Sequence, residues 1–220
     1  MLKAVVFDMD GVLYDTESMS VRVWKELQKE LDLPGDMDEI HKSCVGVNLN
    51  DGHVILKRWF GEDFDCDGFF AKARAHMLRL QEEEGLSLMK GVREILDYLK
   101  EHRIPTAICS STQVPTILEH LRDTDMEQYF DRIIGGNMVE HSKPKPDIYL
   151  KACEALGLSP EECIGVEDSP NGIRSCSAAG LFTVMVPDLI EPTEEILGLC
   201  DLVQEDLLEL LEFVKTNVSV

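Results

Sequence analysis

Four consecutive apolar residues, Ala4-Val5-Val6-Phe7, run directly into Asp8-Met9-Asp10-Gly11. An apolar run of that length, ending in a glycine turn, predicts a parallel strand over 3–8 that is buried on both faces. The pattern then changes period. Val21, Trp24, Leu27 and Leu31 fall at helical spacing over 17–32, and Pro34-Gly35 ends that element. Short helices are expected near 36–45 and 50–60. A longer one over 67–83 places Phe69, Phe70, Ala73, Met77 and Leu80 on one face. No strand pattern occurs between 16 and 88, so this stretch is a helical block.

From residue 91 onward strands and helices alternate. Helices at 91–102, 114–122, 146–157, 170–179 and 205–215 are interleaved with strands at 104–109, 131–135, 163–166, 181–186 and 201–203. Alternation of this kind predicts an α/β fold, a doubly wound parallel sheet with right-handed crossovers. The first strand has no partner until the alternation resumes, so the helical block reads as an insertion behind it. The expected organisation is a Rossmann-like core of 1–15 and 89–220, with a helical domain at 16–88.

Composition narrows the partners. The 220 residues are 44% hydrophobic, enough for a packed core, with a net charge of −21. That charge argues against a nucleic-acid or anionic-membrane partner. An acidic chain that takes a phosphorylated substrate needs a local cation to reverse the sign at its site. No apolar stretch approaches the roughly 18 residues of a membrane span, and no signal peptide precedes the first strand. The seven cysteines show no Cys-x-x-Cys pair. They read as reduced thiols in a cytoplasmic protein.

The candidate chemistry lies where strands end, the edge at which open parallel sheets bind ligands. Asp8 and Asp10, at i and i+2 of an extended segment, point the same way. One carboxylate can attack while the other moves protons or helps hold a metal. A calcium loop is the competing reading of Asp-x-Asp-Gly. An EF-hand, however, needs glycine at position six and a bidentate glutamate at twelve, where this chain has Leu13 and Met19. Ser110-Ser111-Thr112 ends the next strand ahead of a helix. A serine there is either an N-cap or part of an anion site built on free backbone N–H groups, and beside the aspartates Ser110 favours the anion site. Lys143, in Lys143-Pro144-Lys145-Pro146, is placed to set an ammonium on a phosphoryl group, whereas Lys145 reads as solvated. Glu167-Asp168 ends the strand at 163–166. The pair is either a helix cap with a solvated charge or, with Asp8 and Asp10, the oxygen set that Mg²⁺ prefers.

These residues, in this order, resemble the haloacid dehalogenase superfamily, in the subgroup with an α-helical cap inserted after the first motif. The first motif matches as Asp8-Met-Asp10-Gly-Val-Leu-Tyr-Asp15, the second as Ser110, the third as Lys143-Pro-Lys-Pro and the fourth as Gly165-Val-Glu167-Asp168-Ser169. The resemblance covers essentially the whole chain and is strongest to β-phosphoglucomutase-like phosphatases. It implies that Asp8 is the nucleophile and Asp10 the acid–base. Mg²⁺ would be held by Asp8, Asp168 and the Asp10 carbonyl, with Glu167 a direct or outer-shell ligand. Ser110, Lys143 and the Ser111 backbone N–H would bind phosphate.

The same resemblance implies a small-molecule phosphate monoester as substrate and a cap that closes to exclude water; a monomer is the default for such a capped enzyme. It leaves a mutase as the alternative to a phosphatase. Arg22-x-Trp24-Lys25 matches the mutase pattern. Ser20, however, stands where the mutase has histidine, and Val45-Gly46 stands where it has Lys-Gly. No arginine follows within Val47-Asn48-Leu49-Asn50, although Lys57 or Arg58 could substitute. These departures favour hydrolysis over transfer. A catalytically silent regulatory module would have lost a nucleophile, lysine or acid, and here each is present. Asn48, Asn50 and His53 are candidates for reading sugar hydroxyls, against ordinary capping and solvation. His76, His102 and His120 are expected on the surface.

Overall fold

The computed structural model describes residues 1–45, 47 and 49–218. The chain divides into two compact units, Met1–Tyr14 with Leu88–Val220, and Asp15–Ser87. The first holds a six-stranded sheet of β1 (Ala4–Phe7), β2 (Thr106–Ser110), β3 (Arg132–Gly135), β4 (Cys163–Glu167), β5 (Phe182–Met185) and β6 (Leu202–Val203). Every pairing is parallel and the spatial order is β3-β2-β1-β4-β5-β6. β1, buried along its whole length, is central, as its apolar run requires. The strand order reverses at β1 and β4, so their carboxyl ends flank the switch-point crevice where open α/β sheets bind ligands.

Helices α1 (Thr16–Leu31), α2 (Met37–Cys44), α3 (Leu49–Phe60) and α4 (Cys66–Glu84) form the second unit. Aspartates cap three of them. Asp15 accepts from Ser18 N, Asp36 from Asp38 N and Asp65 from Gly68 N, each filling a backbone donor that the first turn leaves orphaned. The buried face of α1 holds Trp24 and Leu27 of the expected stripe together with Met19 and Val23, whereas Val21 and Leu31 are only half-buried. Trp24 anchors that core, meeting Phe69 edge-on with ring centroids 4.9 Å apart.

In the sheet unit, α5 (Val92–Glu101), α6 (Val114–Asp123), α7 (Asp147–Leu156), α8 (Pro170–Ala179), α9 (Glu194–Leu197) and α10 (Leu207–Asn217) join the strands. α9, a single turn capped by Thr193, has too little periodicity to be seen in sequence. His120 departs from expectation. It is buried, edge-on to Tyr14 at 6.0 Å, whereas His102 is exposed and His76 half-buried. All seven cysteines are free thiols, and Cys109, Cys153, Cys163 and Cys176 fill one core cluster. Among the described residues no helix is long and apolar enough to cross a membrane.

Candidate active site

Asp8 follows β1 by one residue, and its N–H donates to the Val166 carbonyl at 2.9 Å. The register Phe7↔Val166 therefore carries Asp8 and Glu167 side by side beyond the last paired apolar residues. Asp168 comes next. Gly11, at φ 76°, packs so tightly on the Asp168 carboxylate that any Cβ there would overlap it. The glycine thus serves both the left-handed turn and the approach of the β4 acids to the β1 acids.

Lys143 reaches the same place from the loop after β3. Its Nζ donates to Asp8 Oδ1 at 2.5 Å, to Glu167 Oε1 at 2.6 Å and to the Cys109 carbonyl at 2.9 Å. The ammonium, 8% exposed, is spent entirely on buried acceptors. Its neighbour Lys145 is exposed. Burial by itself would depress the Lys143 ammonium. The Asp8 and Glu167 carboxylates outweigh it, and the group lies above the usual lysine range. Asp8 shows the other side of this balance. Burial first, then the Glu167 and Asp10 charges, overcome Lys143 and push its carboxyl up to about 8.

Asp8, Glu167 and Asp168 are all buried, and one oxygen of each lies within 4.8 Å of the others. Ionising all three carboxyl groups against one ammonium would leave a dry site short of positive charge, which is why Asp8 holds its proton in the absence of a further cation. A hard divalent cation, which takes oxygen ligands, would supply that charge. The donor set fits such an ion.

The Asp10 carboxylate faces a different group. Thr112 Oγ1 donates to Asp10 Oδ2 at 3.2 Å, and Ser110 Oγ reaches the same oxygen at 3.5 Å. Ser110 is the last residue of β2, and the N-cap of α6 is Gln113, so the helix-cap reading of Ser110 does not hold. The Ser110 hydroxyl instead accepts from Thr112 N at 3.0 Å. Ser111 is exposed, its carbonyl packed against Gly136. At β4 the cap of α8 is Ser169, which accepts from Gly172 N at 3.1 Å. Asp168 is therefore not that cap.

Two neighbours escaped the sequence reading. Tyr149, on α7, donates to Glu167 Oε1 at 2.5 Å and lays its ring under Lys143, with Nζ 5.3 Å from the centroid. Burial and the adjacent Glu167 charge hold its phenol well above the ordinary range, so it remains the donor. Its position, i+6 from Lys143 on a helix core face, carries no local sign of that contact. Thr112 is the other, hidden among the hydroxyls after β2.

Within the helical unit, Ser20 Oγ lies 2.7 Å from His41 Nε2, and Glu17 lies 3.9 Å from the same nitrogen. Burial lowers the His41 imidazole to about 4, leaving it neutral near pH 7. His53 stacks on Phe70 at 5.7 Å and Asn50 is exposed. Asn48 and Gly46 lie outside the described residues.

The haloacid dehalogenase-like hydrolase profile matches residues 5–186. The chain is 34% identical to the phosphorylated carbohydrates phosphatase of Thermotoga maritima over 82% of each protein. It is 29% identical to the β-phosphoglucomutase of Bacillus subtilis, covering 84% of this chain and 83% of that one. A Deinococcus radiodurans hydrolase of the same family, whose crystal structure holds phosphate and sodium, superposes with a TM-score of 0.80 at 26% identity, each chain covered to 99%. A parallel sheet with this strand order, acids at the ends of β1 and β4 and a profile match along most of the sequence lead to one conclusion: the chain belongs to the haloacid dehalogenase-like hydrolase family.

Proposed function

We propose that the chain is a Mg²⁺-dependent phosphatase that hydrolyses a small phosphate monoester, a phosphorylated carbohydrate or similar metabolite, through an aspartyl phosphate on Asp8. The carrying observation is Lys143. One buried ammonium bridges the candidate nucleophile Asp8 and Glu167 at 2.5 and 2.6 Å, beside Asp168. The likeness to the Thermotoga phosphatase supports the substrate class.

In this reading the Asp8 carboxylate attacks phosphorus and the ester P–O bond breaks. The alkoxide leaves with a proton from Asp10, whose carboxyl is oriented by Thr112 and Ser110. Asp10 then takes a proton from the water that attacks the acyl phosphate, releasing inorganic phosphate and restoring Asp8. Lys143 steadies Asp8 and, with its N–H groups held by Asp8, Glu167 and the Cys109 carbonyl, offers the phosphoryl oxygens its charge; Ser110 is the second phosphate-binding group, with the Ser111 N–H a further candidate. A Mg²⁺ held by Asp8, Asp168 and the Asp10 carbonyl, with Glu167 direct or one shell out, would neutralise phosphoryl charge. The helical unit Asp15–Ser87 is proposed as the cap that selects the leaving group.

A second reading, transfer within a sugar phosphate, is favoured by one observation. Ser20 replaces the histidine expected of a mutase, yet His41 brings an imidazole to 2.7 Å from it. Phosphorus NMR with β-glucose 1-phosphate and a catalytic amount of the bisphosphate separates the two. Free phosphate as the main product is expected. Dominant glucose 6-phosphate would overturn hydrolysis in favour of transfer. No Mg²⁺-dependent turnover of this or any other monoester would overturn both.

A further inference from the structure

The opposite edge of the sheet carries a feature that phosphoryl chemistry at Asp8 does not use. A groove of about 430 Å³ opens at the amino ends of β2 and β3, within the range of small-ligand pockets. It gathers Lys100 and Arg103 from the end of α5 and Arg132 from the start of β3, with Asp131 the one acid in its lining. Three cations against one acid is a local reversal in a chain with 42 acidic and 21 basic residues.

The state of those cations carries the argument. Elsewhere many basic side chains pair with carboxylates, as Lys3 does with Glu162, Arg22 with Glu84, Lys90 with Asp206 and Arg174 with Glu195, and the unpaired ones among the described residues, such as Lys29 and Lys145, are not among the cations this groove gathers. Among the described residues, none of the three groove cations has a carboxylate within 4.0 Å. Lys100 Nζ donates to the Gln128 amide oxygen at 2.7 Å and stands 5.0 Å over the Tyr129 ring. Arg132 donates only to carbonyls, Ala155 O at 2.9 Å and Asp131 O at 2.6 Å, which fixes its guanidinium plane without neutralising it. The Arg103 guanidinium has no hydrogen-bond or ion-pair partner among the described residues. Asp131 itself is turned onto the sheet, where one carboxylate oxygen accepts from Thr106 N at 2.9 Å. Buried Ile104 supplies an apolar floor.

Three like charges gathered against a single carboxylate repel one another, and an anion relieves that repulsion. Two guanidinium forks and an ammonium suit phosphoryl or carboxylate oxygens. We propose that this groove binds a small polyanion bearing such oxygens at two or more positions, independently of the catalytic edge of the sheet.

The test is an amide NMR titration of the full-length, metal-free protein at low ionic strength, with inorganic pyrophosphate in one arm and citrate in the other. Saturable shifts at Arg103, Gln128, Tyr129 and Arg132 in either arm are expected, and the tighter arm identifies the oxygen chemistry. Arg103→Glu should weaken that binding about tenfold or more, the loss of a charge-assisted contact becoming a repulsion. Lys29→Glu, the same charge change on exposed α1, should leave it unaltered. Lys100→Gln, expected to weaken binding by at least about threefold, is the second variant should Arg103→Glu misfold. Shifts that never saturate, shifts confined to residues 110–112, or equal weakening by Arg103→Glu and Lys29→Glu would overturn the proposal.

Discussion

Replacing Lys143 by methionine keeps the apolar stem and removes the ammonium, leaving Asp8, Glu167 and Asp168 buried without a cation of their own. At an effective dielectric of about 20, each contact near 2.5 Å is worth roughly 6 kcal/mol of attraction before desolvation when its carboxyl is ionised, which for Asp8 is above about pH 8. Proton uptake and local relaxation limit the net loss, because a carboxylate stripped of its partner can protonate. Breaking buried pairs in this way costs about 3–5 kcal/mol, a large part of the total stability of a domain. The loss must also depend on pH. The Asp8 carboxyl is raised from 3.8 to about 8, with burial the leading cause. The folded state therefore holds a proton that the unfolded chain has released. The stability from that proton is fully present below about pH 4 and is lost as pH rises through about 8, with a slope of about 1.4 kcal/mol per pH unit. Lys143 is the group that pulls Asp8 down, so the variant's window extends to higher pH. The deficit of Lys143→Met should be smaller near pH 5 than near pH 9. Mg²⁺ at about 100 times its Kd should return about 2.7 kcal/mol.

The measurement is urea unfolding of metal-free protein at several pH values, followed by circular dichroism. Both tryptophans, Trp24 and Trp59, lie in the helical unit, so their fluorescence would miss a loss confined to the sheet. A deficit under about 1 kcal/mol at pH 7, or one equal at pH 5 and pH 9, would refute the argument that Lys143 offsets buried carboxylate charge.

Other substitutions separate the roles around it. Asp8→Asn should abolish phosphate release, since an amide cannot form the acyl phosphate. Asp10→Asn should retain a trace, because proton transfer contributes about 10²–10⁴-fold; steady-state turnover decides, and normal turnover by Asp8→Asn would remove the nucleophile. Asp168→Ala should shift the Mg²⁺ activation midpoint further than Glu167→Ala, because Glu167 Oε1 already accepts from Lys143 and Tyr149; equal, unchanged midpoints would refute the metal role. Tyr149→Phe should cost about 1.5–3 kcal/mol in urea unfolding, the worth of a buried hydrogen bond to a charged group, and no loss would show Glu167 satisfied by Lys143 and by the Ser169 hydroxyl, which donates to Glu167 Oε2 at 3.3 Å.

What the sequence revealed and what it hid divide along the range of the interactions. Ala4–Phe7 announces its own burial, and the acids behind it follow from two-residue alternation, so β1 and the position of its acids were legible. Ser110 was ambiguous because cap and anion site share one local pattern; only the start of α6 at Val114, with Gln113 as its N-cap, removes the cap. The partners of Lys143 lie 135 and 24 residues away, and no periodicity reports such a contact. Tyr149 reads as one more core position of α7 beside Ile148 and Ala152, because its hydroxyl matters only once that helix packs against β4. His41 was passed over for the same reason, its contact with Ser20 being made between two helices.

The site depends on a register, and apolar residues set the register. Val5, Val6 and Phe7 pair with Ile164, Gly165 and Val166, and the next step of that ladder puts Asp8 beside Glu167. A slip of one residue would turn Asp8 to the other face and leave a carboxylate in the core. Close packing guards against the slip. A Cβ on Gly165 would strike the Cys176 sulfur, and one on Gly172 would strike the Glu167 carboxylate, so β4 fits under α8 in one position. The side chains that fix the strands are thus distinct from those proposed to do chemistry. Replacing the acids at the strand ends can alter the reaction while the fold stays, whereas enlarging Gly165 or Gly172 would disturb both.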